Sequence, residues 1–213
     1  MRTLKTFSLA AALMLAAAGA NAALVIHSDL AAFQAATAGQ AINTEDFEGL
    51  VPADSFADYP TLALSGVTFT SNGFIYVIGQ NYYGTGYTGG SFLSSDFGVP
   101  NNLLTATFDS PVTAIALDFG GISASFTVEF LFHFSDGSSF AASTTRSISD
   151  PALAFIGFTS SVDITSVQIA MPDFPQYNAI DNFRFGPTPL PEPASLALVG
   201  LGLLGAAGTR RRR

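Results

Sequence analysis

The sequence predicts an all-β protein: a β-sandwich with one short N-terminal helix, plus a C-terminal single transmembrane helix. Three observations carry this. About ten short apolar stretches are separated by Gly, Pro, Asn, Asp and Ser clusters, the spacing of strands and turns. One stretch, Ser125 to Phe134, alternates strictly between apolar and other residues. Near the end, Ala194 to Gly208 carries no charge, and Arg210 to Arg213 follow it.

Taken in order, the chain begins with a segment that looks like an export signal, predicted to span residues 1–22. Arg2 and Lys5 form a basic start, Phe7 to Ala18 is apolar, and Ala20-Asn21-Ala22 has the small residues of a cleavage site. The mature chain is expected to begin at Ala23; cleavage after Ala20 is the alternative. Leu24-Val25-Ile26 reads as a short strand. Ser28 reads as an N-cap with Asp29 in the first turn, and Leu30, Phe33 and Ala36 recur at helical spacing. Gly39 ends that segment, so one helix is predicted from about Asp29 to Ala38.

Strands are then predicted over Asn43 to Glu48, Val67 to Ser71, Phe74 to Ile78, Leu103 to Phe108, Val112 to Phe119, Ser125 to Phe134, Ser138 to Thr144, Ala154 to Phe158, Ile164 to Met171 and Ala179 to Phe185. Ten short strands at this spacing suit a sandwich. In Ser125 to Phe134, Phe126, Val128, Phe130, Phe132 and Phe134 fall on one face, with Thr127, Glu129, Leu131 and His133 on the other. Ser135-Asp136-Gly137-Ser138 reads as the hairpin turn, with Gly137 free to take positive φ. The sandwich is predicted to occupy residues 23–186. Residues 187–213 are a linker and tail, the linker stiffened by Pro187 and Pro189.

Charge and composition narrow the function. Of eight basic residues, two lie in the N-terminal segment and four in the tail. The domain keeps Arg146 and Arg184 against fifteen acids, a net charge of −13. Such a surface repels nucleic acid and anionic lipid, and suits divalent cations or neutral glycans. No cysteine is present, which excludes thiol catalysis, zinc–thiolate sites and iron–sulfur clusters.

In the tail, Pro191 and Pro193 bracket Glu192 and hold the tripeptide extended. The 15-residue apolar run spans ~22 Å as a helix, short of a hydrocarbon core of ~30 Å. The arginines stay cytoplasmic by the positive-inside rule, which puts the bulk of the chain on the other side. A plain C-terminal tail anchor fits this composition. The order Leu190-Pro191-Glu192-Pro193-Ala194-Ser195, short apolar run and terminal arginines resembles the PEP-CTERM sorting signal of bacterial exported proteins. The resemblance implies an exosortase as processing partner, with Pro191, Glu192 and Pro193 as substrate of its cleavage. It also implies transient anchoring in the inner membrane through the C-terminal helix. The destination it implies is the cell surface or an exopolysaccharide or biofilm matrix.

Two candidate sites stand out. Asp46-Phe47-Glu48-Gly49 and Ile180-Asp181-Asn182-Phe183 resemble the early and late elements that bracket a structural calcium in jelly-roll carbohydrate-binding modules. That resemblance implies a jelly-roll-like sandwich with calcium on Glu48 and Asp181, supported by Asp46 and Asn182. Calcium takes six to eight oxygens, so carbonyls and water would complete the shell; solvated strand-end acids are the alternative. The second is the Gly-rich stretch Gly79 to Gly90, where Tyr82, Tyr83 and Tyr87 offer rings to stack on sugar faces. A surface loop packed on the sandwich rim is its alternative. Glu129 and His133 share a strand face about 13 Å apart, too far for direct contact. With no nucleophile motif such as Gly-x-Ser-x-Gly, no catalytic residue is assigned. The expectation is a non-catalytic, exported matrix protein whose sandwich binds glycan or adds bulk. A polysaccharide hydrolase and a purely structural membrane-tethered domain are the alternatives.

Overall fold

A computed structural model of the chain describes residues 24–83, 90–95, 103–121, 125–147, 153–170 and 178–187. All lie within the compact unit Leu24–Thr188. In chain order the elements are β1 (Leu24–His27), α1 (Leu30–Ala36), β2 (Asn43–Glu45), β3 (Phe56–Leu64), β4 (Val67–Ile78), β5 (Phe92–Ser95), β6 (Leu103–Gly121), β7 (Ser125–Phe134), β8 (Ser139–Ser147), β9 (Ala154–Ala170) and β10 (Asn178–Gly186).

The helix is shorter than its apolar spacing predicts. Asp29, not Ser28, is the N-cap: its carboxylate accepts the Ala32 N–H at 2.8 Å. At the other end the Thr37 hydroxyl donates to the Phe33 carbonyl at 2.9 Å. Phe33 is buried and packs beside Ala114 and Ala116 on the sheet. A Cβ at Gly157 would come within 2.7 Å of that ring, so glycine is what lets the helix lie close.

The strands are longer and fewer at three places. Val67–Ser71 and Phe74–Ile78 are one strand, β4. Its polar middle is satisfied by side chains: Ser71 Oγ accepts the Gly73 N–H at 3.1 Å, and Asn72 Oδ1 accepts the N–H of Leu103 on β6 at 3.1 Å. β6 runs through Pro111, and β9 runs through Ser160 to Asp163, where Ser160 Oγ bonds both the N–H and the carbonyl of Val162. The β6–β9 register shifts between Thr107 and Val112 and again before Ala114, so both strands bend together. β2 stops at Glu45, short of the predicted Glu48, because Phe47 turns to φ 58°. Two strands are not predicted at all. β3 carries Pro60, which argues against a strand, but β3 pairs only with β4 among the described residues, and proline is tolerated at an edge. β5 hides behind two serines, although all four of its residues are buried.

The bends turn one hydrogen-bonded sheet into two layers. Leu103–Thr107 of β6 pairs with β4 and with the second half of β9. β7 and β8 continue that layer beyond β9, and β3 borders β4. The later half of β6 pairs with β10 and with the first half of β9, which β1 flanks. β2 pairs with β10, and β5 bridges the layers, pairing along its length with Ile75–Ile78 of β4 and at Leu93 with β10. Rings then meet across the interior: Phe69 of β4 lies 5.1 Å from Phe183 of β10, and Phe132 of β7 lies 4.7 Å from Phe158 of β9. Two faces closing on such a core make a β-sandwich.

The β7–β8 hairpin matches its reading. Val128, Phe130, Phe132 and Phe134 are buried and Glu129 is exposed. Gly137 takes φ 82°, and Asp136 Oδ1 accepts from Ser138 N–H and Oγ at 2.9 and 2.6 Å. The predicted transmembrane helix and export segment lie outside the described residues. Among the described residues, no helix is long and apolar enough to cross a membrane.

Candidate functional site

The early and late acidic elements do meet. After β2, Asp46 Oδ1 accepts the Glu48 N–H at 3.1 Å, and Phe47 between them holds φ 58°. A bulky residue with positive φ is strained. Here burial of the Phe47 ring in the core, 6.0 Å from Phe69, offsets that cost. The turn at Phe47 aims Glu48 at the start of β5, where Oε1 accepts the Ser91 N–H at 2.6 Å and Oε2 the Ser91 hydroxyl at 3.2 Å. On β10 the ladder slips between Asp181 and Arg184, and Asn182 takes φ 47°. Asp181 is 6% exposed and its Oδ1 accepts the Asn182 N–H at 2.6 Å. Glu48 and Asp181 converge over Gly90: a Cβ there would lie 2.5 Å from Glu48 Oε1 and 3.8 Å from Asp181 Oδ2.

Two further residues belong to this cluster and carry no signal in the sequence pattern. Asp118 of β6 pairs directly with Asp181. Arg184 neutralises Asp118 at 3.3 Å, donates to the Asn182 carbonyl at 3.0 Å, and lies 5.8 Å over the Phe155 ring. Burial pushes the Asp181 carboxyl up to about 6; the Asn182 N–H opposes this, while the charges of Asp118, Glu48 and Asp46 reinforce it. A buried carboxyl among three others is the electrostatic setting that a divalent cation relieves. Among the described residues, however, no three His, Asp or Glu side chains stand close enough to hold a metal as they are. Glu48 and Asp181 fit calcium by donor type. Their number leaves most of its six to eight positions to carbonyls and water.

The second site is aromatic. Tyr82 and Tyr83 are exposed, at 40% and 37%, and their rings meet at 4.9 Å. Phe56, 46% exposed at the start of β3, packs edge-on against Tyr82 at 5.1 Å and lies 6.1 Å from Tyr76 of β4. Phe56, Tyr76, Ile78, Tyr82 and Tyr83 line an open hollow of about 230 Å3. Asp58, opposite Tyr76 in the ladder, puts an exposed carboxylate on the same face. Two backbone bonds zip the tyrosine segment to the loop before β3: Gly79 N–H to the Ser55 carbonyl at 2.8 Å and Asn81 N–H to the Ala53 carbonyl at 2.7 Å. A side chain at Gly79 would run into the Pro52 carbonyl oxygen. Phe56 escapes the sequence reading because β3 does, and Tyr76, on a predicted strand, is joined to the tyrosines only through Phe56. Tyr87 lies outside the described residues.

The histidines take other roles. His27 Nε2 lies 3.0 Å from Thr159 Oγ1, its ring stands edge-on to Phe33, and burial lowers its pKa with Asp29 partly opposing. His133 pairs with Ser139 and Ser166 across the outer face of the first layer. A larger hollow of about 480 Å3 lies on the β6–β9–β7–β8 strands, lined by Leu103, Glu129, Leu131, Ser143 and Gln168 among others. Among the described residues the one ring in its lining, Phe130, is buried.

Residues 189–213 match the PEP-CTERM protein-sorting motif, the signal of exported, exosortase-sorted proteins. No curated protein matches the chain. Among solved structures, a family 11 carbohydrate-binding module of the Clostridium thermocellum cellulosomal cellulase Lic26A-Cel5E is 13% identical, with a TM-score of 0.36 over 70% of this chain and 94% of that one. The family 11 module from Clostridium thermocellum in complex with a β-1,3-1,4-mixed-linked tetrasaccharide is 12% identical, with a TM-score of 0.31 over 69% and 96%. A two-domain protein of unknown function from Bacteroides fragilis is 14% identical, with a TM-score of 0.34 over 67% of this chain; the chain spans 47% of that protein's length.

Proposed function

We propose that this is an exosortase-processed surface or extracellular-matrix protein whose jelly-roll-like sandwich is non-catalytic and binds glycan. The apolar run holds the exported chain in the inner membrane until cleavage near Pro191-Glu192-Pro193. The domain then resides among exopolysaccharide or biofilm matrix. The observation that carries the binding reading is the cluster of exposed Phe56, Tyr82 and Tyr83 with half-buried Tyr76 around one hollow. Large rings left in water cost free energy, and sugar C–H faces cover them while a carboxylate such as Asp58 accepts hydroxyls. Glycoside hydrolysis takes two carboxyls flanking the bond, and among the described residues the hollow is lined by rings and Ile78 with Asp58 beside it, which favours binding.

Calcium belongs to the same proposal as a brace. Bound between Glu48 and Asp181, it would tie the chain after β2 to β10 and the start of β5. The deciding experiment titrates the secreted protein with its producer's exopolysaccharide. Tyr82→Ala combined with Phe56→Ala is expected to weaken binding about tenfold, the worth of two lost ring contacts, with the melting temperature held. Unchanged affinity would move the site away from this cluster.

A further inference from the structure

We propose that β8 is an assembly edge, through which two copies of this chain pair antiparallel about a two-fold axis at Ser143.

Four strands pair on one side only among the described residues: β1, β2, β3 and β8. An unpaired edge offers a row of N–H and C=O groups to any passing strand, and proteins blunt such edges. Three of the four are blunted here. β1 has four residues and β2 three. β3 carries Asp58, Pro60 and a register slip between Tyr59 and Thr61. β8 has none of these devices. It runs nine residues with no proline, no acid and no lysine, and its ladder with β7 is unbroken from Ser147 to Ser139.

Its composition favours a second copy over another partner. With a net charge of −13 the domain repels itself, and β8, whose one charge is Arg146, is where two copies approach with least repulsion. Antiparallel pairing centred on Ser143 places position 146 of each copy opposite position 140 of the other. Ser139 then faces Ser147, Ala141 faces Thr145 and Ala142 faces Thr144, so no two like charges oppose each other. Phe140 supplies the driving force. It pairs with buried Phe132, which pairs with buried Val167, so a core row runs out to the sheet edge and ends on a ring 42% exposed. A two-fold contact uses both edges and closes as a dimer rather than a fibre.

The test is the mass of the secreted protein in solution, by sedimentation or light scattering. The native chain is expected to be a dimer. Ser143→Lys, at an exposed position, brings two lysines face to face on the axis and should weaken dimerisation at least tenfold. Ser143→Glu should do the same, and an equimolar mixture of the two variants should restore the dimer. A native chain that stays monomeric up to about 100 μM, a Ser143→Lys variant as dimeric as the native chain, or a mixture that fails to pair would each overturn the proposal.

Discussion

Asp181 concentrates the electrostatics of this domain in one carboxyl. Its folded pKa of about 6 stands above the ordinary value of 3.8. Between those values the folded state binds more protons than the unfolded chain. Its contribution to stability is therefore full below pH 3.8 and is lost as pH rises through 6. Glu45, raised by burial and by Asp46, acts in the same direction. In chelator, the melting temperature is expected to fall between pH 4 and pH 6, with about 1–3 kcal/mol at stake in Asp181 alone. Asp181→Asn should flatten most of that slope, and an unchanged profile would remove Asp181 as its source. Calcium should raise the melting temperature at pH 7 in the native chain and leave Asp181→Asn unmoved. Equal shifts in both would place any bound ion elsewhere.

At the scale of elements, α1 shows how little local propensity has to supply. Seven residues are too few for an isolated helix in water. The helix persists because Phe33 fills a site floored by Ala114, Ala116 and Gly157 and bordered by Phe155 at 5.9 Å. Phe33→Ala is expected to cost about 3 kcal/mol in urea unfolding. A loss below ~1 kcal/mol would mean that the helix is held by something else. The β7–β8 hairpin is the opposite case. Its two-residue period and its Asp136-Gly137 turn specify the register from neighbours alone. That self-sufficiency is also what leaves β8 a long, regular edge.

For the whole molecule, the two ends and the domain do separate jobs. Removing both ends, with their six basic residues and Glu192, takes the chain from a net charge of −8 to a domain at −13. A surface of that charge repels nucleic acid and anionic lipid. Protein recovered from the cell surface is expected, by mass spectrometry, to begin at Ala23 and to lack Arg210 to Arg213. Intact arginines on surface protein would show that the sorting motif is not processed.

Sequence by itself determined whatever depends on residues close in the chain: the sorting tail, the alternation of Ser125 to Phe134 and its turn. It also brought together Asp46, Glu48, Asp181 and Asn182, through likeness to a motif pair. Only the tertiary structure decided that β4, β6 and β9 continue through their polar middles, since Asn72 accepts from Leu103 on another strand and β6 and β9 stay paired through their bends. It alone set Asp118 and Arg184 beside Asp181, and Phe56 and Tyr76 beside Tyr82. The reason is physical: side-chain period reports which face a residue occupies, whereas strand order and bends decide which faces meet.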